Sequence, residues 1–307
     1  MTADARMPTG IVPILVTPFD AENEVDEGEL RSELRFLRAK GIVWAGVGFG
    51  SEVHRLTPRE VATVIGISNE EGLKVVGNLE ASTSRVKSEL EALSAAGASA
   101  VMFRPRFLRG EPQAIVDTLV EIVAASPVTI VYQDAAAMTG IDLPAGQLVD
   151  FARRASQPVC LKIEPENAAE KTQIVRDQLG DKASILGGNG GRHYVSEALA
   201  GANGTMPGPA FPEFFEALRL LVANGERAAA RQLHARLLPF IIAVISTEEF
   251  LFQQKHVLIR RGVLTSRRLR TPHPPLYAGY QNLLDTLWDD LEIDALLEHC
   301  SSIVGSK

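Results

Sequence analysis

Between residues 10 and 223 a short apolar, β-branched stretch alternates eight times with a longer amphipathic one. Strict alternation of this kind requires a parallel sheet, because each strand must be returned to the same end by a helix lying outside the sheet. Strands are expected over residues 10–17, 41–47, 73–77, 99–103, 126–132, 157–164, 183–186 and 204–206. Helices are expected over residues 27–40, from Thr57 onward, and over 82–96, 111–125, 144–155, 166–179, 191–200 and 211–223. Asp26 is placed to cap the first helix, and Thr57-Pro58-Arg59-Glu60 reads as a capping box with proline at the first helical position. Eight units in roughly 215 residues fit an α/β fold of the (β/α)8 TIM barrel type. A doubly wound sheet is the rival, but no Gly-x-Gly-x-x-Gly follows the first strand. From Gly225 onward the alternation stops, and residues 226–246, 248–261 and 275–299 read as helices. The expected organisation is therefore a barrel over residues 1–224 and a C-terminal helical extension over 225–307.

The fifth and sixth strands carry the most chemistry. Both open with Pro-Val, at Pro127 and Pro158, and proline is tolerated at the first residue of a strand. One runs to Tyr132 and the other carries Lys162 near its end. Sites of barrel enzymes form where strands end, so a phenol and an amine there are expected to share a pocket. An uncharged lysine amine, favoured by apolar neighbours such as Leu161 and Ile163, adds to a ketone to give an iminium that drains electrons from the adjacent bond. Tyr132 would relay protons beside it. The other reading is a lysine snorkelling at a strand end and a buried tyrosine tied to backbone.

Two glycine-rich loops follow strands. Gly48-Phe49-Gly50-Ser51-Glu52 offers backbone amides that could cradle a carboxylate, and Gly187-Gly188-Asn189-Gly190-Gly191, with Arg192, could take an anion such as phosphate. Asn78, Glu80, Arg104, Gln133, Asp134, Glu164 and Met206 also follow strands. The six histidines show no metal-ligand spacing, so neither a metal nor another cofactor is expected, and no Gly-x-Ser-x-Gly elbow occurs. A net charge of −7 argues against nucleic-acid binding. Two cysteines form no disulfide framework, which fits a reducing cytoplasm. Neither a signal peptide nor a membrane span is legible, and the apolar run 237–245 is too short to cross a bilayer.

Together these features resemble the dihydrodipicolinate synthase / N-acetylneuraminate lyase family. The likeness rests on residues 13–20, 48–57, 132–140 and Leu161-Lys162-Ile163-Glu164, and runs from about residue 10 to 223. It implies a Schiff base between Lys162 and pyruvate or another 2-oxo acid, Tyr132 as proton relay, and a homo-oligomer, usually a tetramer. Gly48, Phe49, Gly50, Ser51, Met138, Gly188 and Met206 are the expected substrate contacts. The chain departs from the family pattern at several places. The loop after strand two usually reads Gly-Thr-Thr-Gly-Glu or Gly-Ser-Thr-Gly-Glu, and here both hydroxyl residues are missing. Arg104-Pro105-Arg106-Phe107 has no hydroxyl where the synthases carry a second tyrosine. Met138 stands where they carry a substrate-gripping arginine, and Gln133-Asp134-Ala135 replaces Asn-x-Pro. The expectation is a Schiff-base lyase, aldolase or dehydratase, acting on a 2-oxo (3-deoxy sugar) acid. Arg104 and Arg106 are candidates for an acidic group on that substrate. The alternatives are a dihydrodipicolinate synthase proper, a catalytically impaired 2-oxo-acid sensor, and an enzyme holding a phosphorylated substrate through residues 187–192.

Overall fold

The computed structural model describes residues 7–80 and 84–305. Eight strands are present: β1 (Gly10–Ile11), β2 (Trp44–Gly46), β3 (Lys74–Leu79), β4 (Ala100–Phe103), β5 (Thr129–Asp134), β6 (Cys160–Ile163), β7 (Ser184–Gly187) and β8 (Gly204–Thr205). All pair in parallel in the order β1-β8-β7-β6-β5-β4-β3-β2. Ile14 bridges to Gly46, the Gly46 amide donates to the Pro13 carbonyl at 2.8 Å, and the ring closes into a barrel. Closure also depends on Gly204, where a Cβ would lie 1.9 Å from the Gly10 carbonyl oxygen.

The helices between strands form the outer ring: α1 (Glu27–Ala39), α2 (Pro58–Glu70), α3 (Val86–Ala95), α4 (Pro112–Ala125), the single turn α5 (Ala136–Thr139), α6 (Ala145–Arg154), α7 (Ala168–Leu179), α8 (Tyr194–Leu199) and α9 (Pro212–Ala223). Asp26 accepts from the Glu29 amide, and Thr57 and Glu60 form a reciprocal capping box. The expected start of α3 at residues 82 and 83 lies outside the described residues. Side chains alternate along each strand. Val12, Ile14, Val76, Met102, Val131, Cys160, Leu186 and Met206 fill the interior, while Leu79, Phe103, Tyr132, Leu161 and Ile163 pack outward against the helices.

The C-terminal region forms α10 (Arg227–Ile241), α11 (Thr247–Arg260), α12 (Tyr280–Asp290) and α13 (Ile293–Gly305). Two boundaries differ from the sequence reading. The helix expected to reach residue 246 ends at Ile241, because Ser246 is extended (φ −131°, ψ 164°) and its hydroxyl caps α11 by accepting from the Glu249 amide. The helix expected over 275–299 begins only at Tyr280 and is two helices, broken where Glu292 takes a left-handed φ of 49°. α11 is tied to the barrel by a buried ion pair, Lys255 Nζ to Glu52 Oε1 at 2.9 Å. Among the described residues no helix is long and apolar enough to cross a membrane.

Candidate active site

A cleft of about 680 Å³ opens at the C-terminal end of the barrel. Its floor is Lys162, only 5% exposed, which shares the barrel interior with Cys160 below it. Gln133 is the cross-strand partner of Lys162 and points the same way. Glu164 completes the group. Its Oε1 lies 3.3 Å from the Lys162 amine and accepts from the Asn189 amide at 2.9 Å, and its Oε2 accepts from Gln133 Nε2 at 2.6 Å. The Met102 thioether lies 3.9 Å from the same amine. Burial would raise the Glu164 carboxyl, but the adjacent Lys162 charge and the bonds from Gln133 and Asn189 hold it below its ordinary range.

Tyr132 is not in this group, which corrects the expectation that it relays protons to Lys162. β5 runs two residues further than the sequence suggested, through Gln133 and Asp134. Tyr132 pairs with the outward-facing Leu161, not with Lys162, so it points to the opposite face of the sheet. Its ring meets Phe151 of α6 edge-on at 5.8 Å, and its hydroxyl has no partner among the described residues. Burial, with Asp134 and Asp142 nearby, pushes the phenol well above its ordinary value. Asp134 also faces outward and pairs with Lys171 of α7 at 2.9 Å.

Gly48, Phe49 and Gly50 line the cleft on the β2 side. The amides of Phe49 and Gly50 meet no acceptor among the described residues. Ser51 does not reach the cleft, a second correction. It is fully buried, donates its hydroxyl to the Leu15 carbonyl at 2.6 Å and accepts from the Gly48 amide at 3.2 Å, so it shapes the loop from behind. Gly188 is a third correction, since it is not on the cleft wall. A Cβ there would lie 2.1 Å from Glu164 Oε1, so this glycine makes room for the carboxylate. Met138 and Met206 are on the wall, and Met138 accepts from Arg104 Nη1 through sulfur at 3.3 Å. The loop after β7 is poorly suited to phosphate, because the Asn189 amide already serves a carboxylate.

Some wall residues were not assigned from the sequence. Asn78, which the sequence named only as following a strand, presents an Oδ1 with no partner among the described residues. Val244, Ser246, Thr247 and Phe250 come from the C-terminal region and cover one side of the mouth. No sequence pattern marks them, because they reach the cleft only through the docking of α11. Among the described residues no cluster of His, Cys, Asp or Glu is placed to hold a metal ion.

The sequence model of the dihydrodipicolinate synthetase family matches residues 7–289. The 4-hydroxy-tetrahydrodipicolinate synthase of Methanosarcina mazei is 23% identical over 275 residues, covering 87% of this chain and 92% of that protein. A probable 5-dehydro-4-deoxyglucarate dehydratase of Cereibacter sphaeroides is 27% identical over 233 residues, 74% of each chain. Among solved structures, dihydrodipicolinate synthase from Rhodopseudomonas palustris superposes with a TM-score of 0.85 at 24% identity, covering 94% of this chain and 99% of that one.

Proposed function

The chain belongs to the dihydrodipicolinate synthetase family, and we propose that it is a Schiff-base-forming lyase acting on a 2-oxo acid. Members of this family are lyases of the class I aldolase type. The observation that carries the reading is the Lys162 amine, buried at the cleft floor 3.3 Å from the Glu164 carboxylate. In this reading Glu164 takes a proton from the ammonium, and the freed amine adds to C2 of the substrate. Glu164 returns that proton to the carbinolamine hydroxyl, which leaves as water to give an iminium. Glu164 then moves the next proton. Removing it from C3 lets a C4 hydroxyl depart as water. Removing it from the C4 hydroxyl breaks the C3–C4 bond instead, and Glu164 then returns that proton to C3 of the enamine. Hydrolysis of the imine returns Lys162. The open amides of Phe49 and Gly50 would hold the substrate carboxylate.

Within this class a hydroxylated 2-oxo acid suits the cleft better than the synthases' aldehyde. Met138 stands where the synthases are expected to carry arginine, and Asn78, Gln133 and Asn189 offer amide groups matched to hydroxyls. The relative named as a dehydratase of such an acid supports the same choice. A homo-oligomer is part of the proposal, supported by the 54% exposed Phe107 near the β4 end and checked by light scattering.

Borohydride reduction in the presence of pyruvate tests the reading. The expected result is one reduced pyruvate on Lys162, located by peptide mass analysis and absent from Lys162→Ala. An unmodified Lys162, under conditions that label a control aldolase, rejects the Schiff base. An adduct without turnover of any 2-oxo sugar acid points to a binding protein instead.

A further inference from the structure

We propose that the substrate is a dicarboxylate, and that Arg104 binds the carboxylate distant from the reacting ketone. This rests on the Schiff-base reading of Lys162 and adds the chemical class of the acid it takes.

Arg104 follows Phe103, the partner of Tyr132, and so continues one inward-facing row across three strands: Arg104, Gln133 and Lys162. Two strand spacings put the Arg104 and Lys162 backbones roughly 10 Å apart. A ketone carbon held by the lysine and a carboxylate three or four carbons further along the chain match that span once both side chains reach inward.

A cation at this position is unusual. Arg104 is 2% exposed, yet it lies on the wall of an open cleft. Its guanidinium carbon lies over the Phe49 ring, 4.1 Å from the centroid, a cation–π contact that helps hold it in place. Glu80 pairs with it from behind without reaching the cleft wall, and Arg106 shares that carboxylate at 3.8 Å. Two guanidinium groups on one carboxylate leave a net positive charge on the cluster, which the Glu164 carboxylate of the cleft offsets only in part. Towards the cleft, Arg104 Nη1 meets only the Met138 thioether at 3.3 Å, and its Nε is buried without a partner among the described residues. A thioether is a weak acceptor, and Met138 is 48% exposed on the single turn α5. A carboxylate oxygen can displace it and gain a charge-assisted bond. Burial, with Arg106 nearby, lowers the guanidinium only to about 10, so it remains a cation at neutral pH.

The remaining charges of the cleft agree. Lys162 is balanced by Glu164, and Arg192 on the opposite wall is exposed. The open amides of Phe49 and Gly50 serve the carboxylate next to the ketone, leaving Arg104 for a second one. A planar fork favours a planar carboxylate over a phosphate ester.

Competition against pyruvate trapping on the full chain tests this, with 2-oxoadipate, the equally long mono-acid 2-oxohexanoate, and a 2-oxo acid ending in phosphate. The diacid should compete better than the mono-acid by about tenfold or more. That ratio should fall towards one in Arg104→Met and sit between in Arg104→Lys, which keeps the charge but loses the fork. Reading a ratio cancels uniform damage from the substitution, and the wild-type ratio stands if a variant does not fold. A wild-type ratio near one, or a ratio unmoved in a folded variant, overturns the proposal. Stronger competition by the phosphate acid overturns the carboxylate assignment. If pyruvate is never trapped, thermal stabilisation by the same three acids reads the Arg104 subsite separately, so failure of the Schiff base and failure of this inference remain distinct.

Discussion

Glu164 holds its Oε1 3.3 Å from the Lys162 amine, and both oxygens of that carboxylate are anchored, one by the Asn189 amide and one by Gln133. An anchored carboxylate beside a buried amine can move protons without a phenol. Exchange of the pyruvate methyl protons for deuterium reports proton movement on the imine without the natural substrate. Glu164→Gln should slow that exchange by about 10²- to 10⁴-fold, and slow borohydride trapping of pyruvate on Lys162 far less, because water can stand in as the base that frees the amine. Exchange near the wild-type rate would assign the proton carrier elsewhere.

Tyr132→Phe separates the sequence expectation from the structure. The hydroxyl is buried behind the sheet and has no partner among the described residues. Its removal should leave methyl exchange within about twofold and stabilise the fold by about 1 kcal/mol, since a desolvated, unpaired hydroxyl costs free energy. Denaturant melts and proton exchange by NMR give both answers. A large loss of exchange would return the phenol to the mechanism.

Gly188→Ala places a methyl group 2.1 Å from Glu164 Oε1 and 2.6 Å from its Cδ. The carboxylate must swing away from Lys162. Exchange should fall by about tenfold or more, approaching the loss in Glu164→Gln. Little further loss is expected in the double variant, because both changes remove the same group. Additive losses would show that Gly188 acts by another route.

Glu197 of α8 is buried behind Gly187, and neither of its oxygens has a partner among the described residues. Burial, reinforced by the Glu164 charge, raises its carboxyl from the ordinary 4.5 to about 8. The unfolded chain releases this proton near 4.5 and the folded chain near 8, so this group makes stability fall as pH rises through that interval. Glu33, also raised to about 8 by burial, adds a similar slope. Glu197→Gln should flatten the decline by about one proton's worth between about pH 5 and about pH 8. Urea midpoints across that range measure it, and an unchanged slope would show that Glu197 is already ionised in the fold.

The barrel was legible because its signal repeats. Each unit buries an apolar strand under an amphipathic helix, and eight repetitions leave few alternatives. The position of Lys162 at a strand end was legible for the same reason. The facing of Tyr132 was not read correctly, although a parity clue existed. Tyr132 lies five residues beyond Pro127 and Lys162 four beyond Pro158, so strands opening alike turn these two side chains to opposite faces. Gln133 has the matching parity, and only the true end of β5 at Asp134 makes it part of the site.

Local sequence therefore determined the element order, the helix caps at Asp26 and Thr57, and an amine at the end of the sixth strand. These depend on side-chain periodicity and on hydrogen bonds within a few residues of one another. The tertiary structure decided which groups surround that amine. Glu164 turns back to Lys162 because Gly188 leaves space for it, Ser51 turns away to bond Leu15, and the residues near Phe250 reach the cleft only when α11 docks through Lys255 and Glu52. Such contacts join positions far apart in the chain, and a strand's period of two means that a shift of one residue exchanges the helix-packed face for the one that lines the cleft.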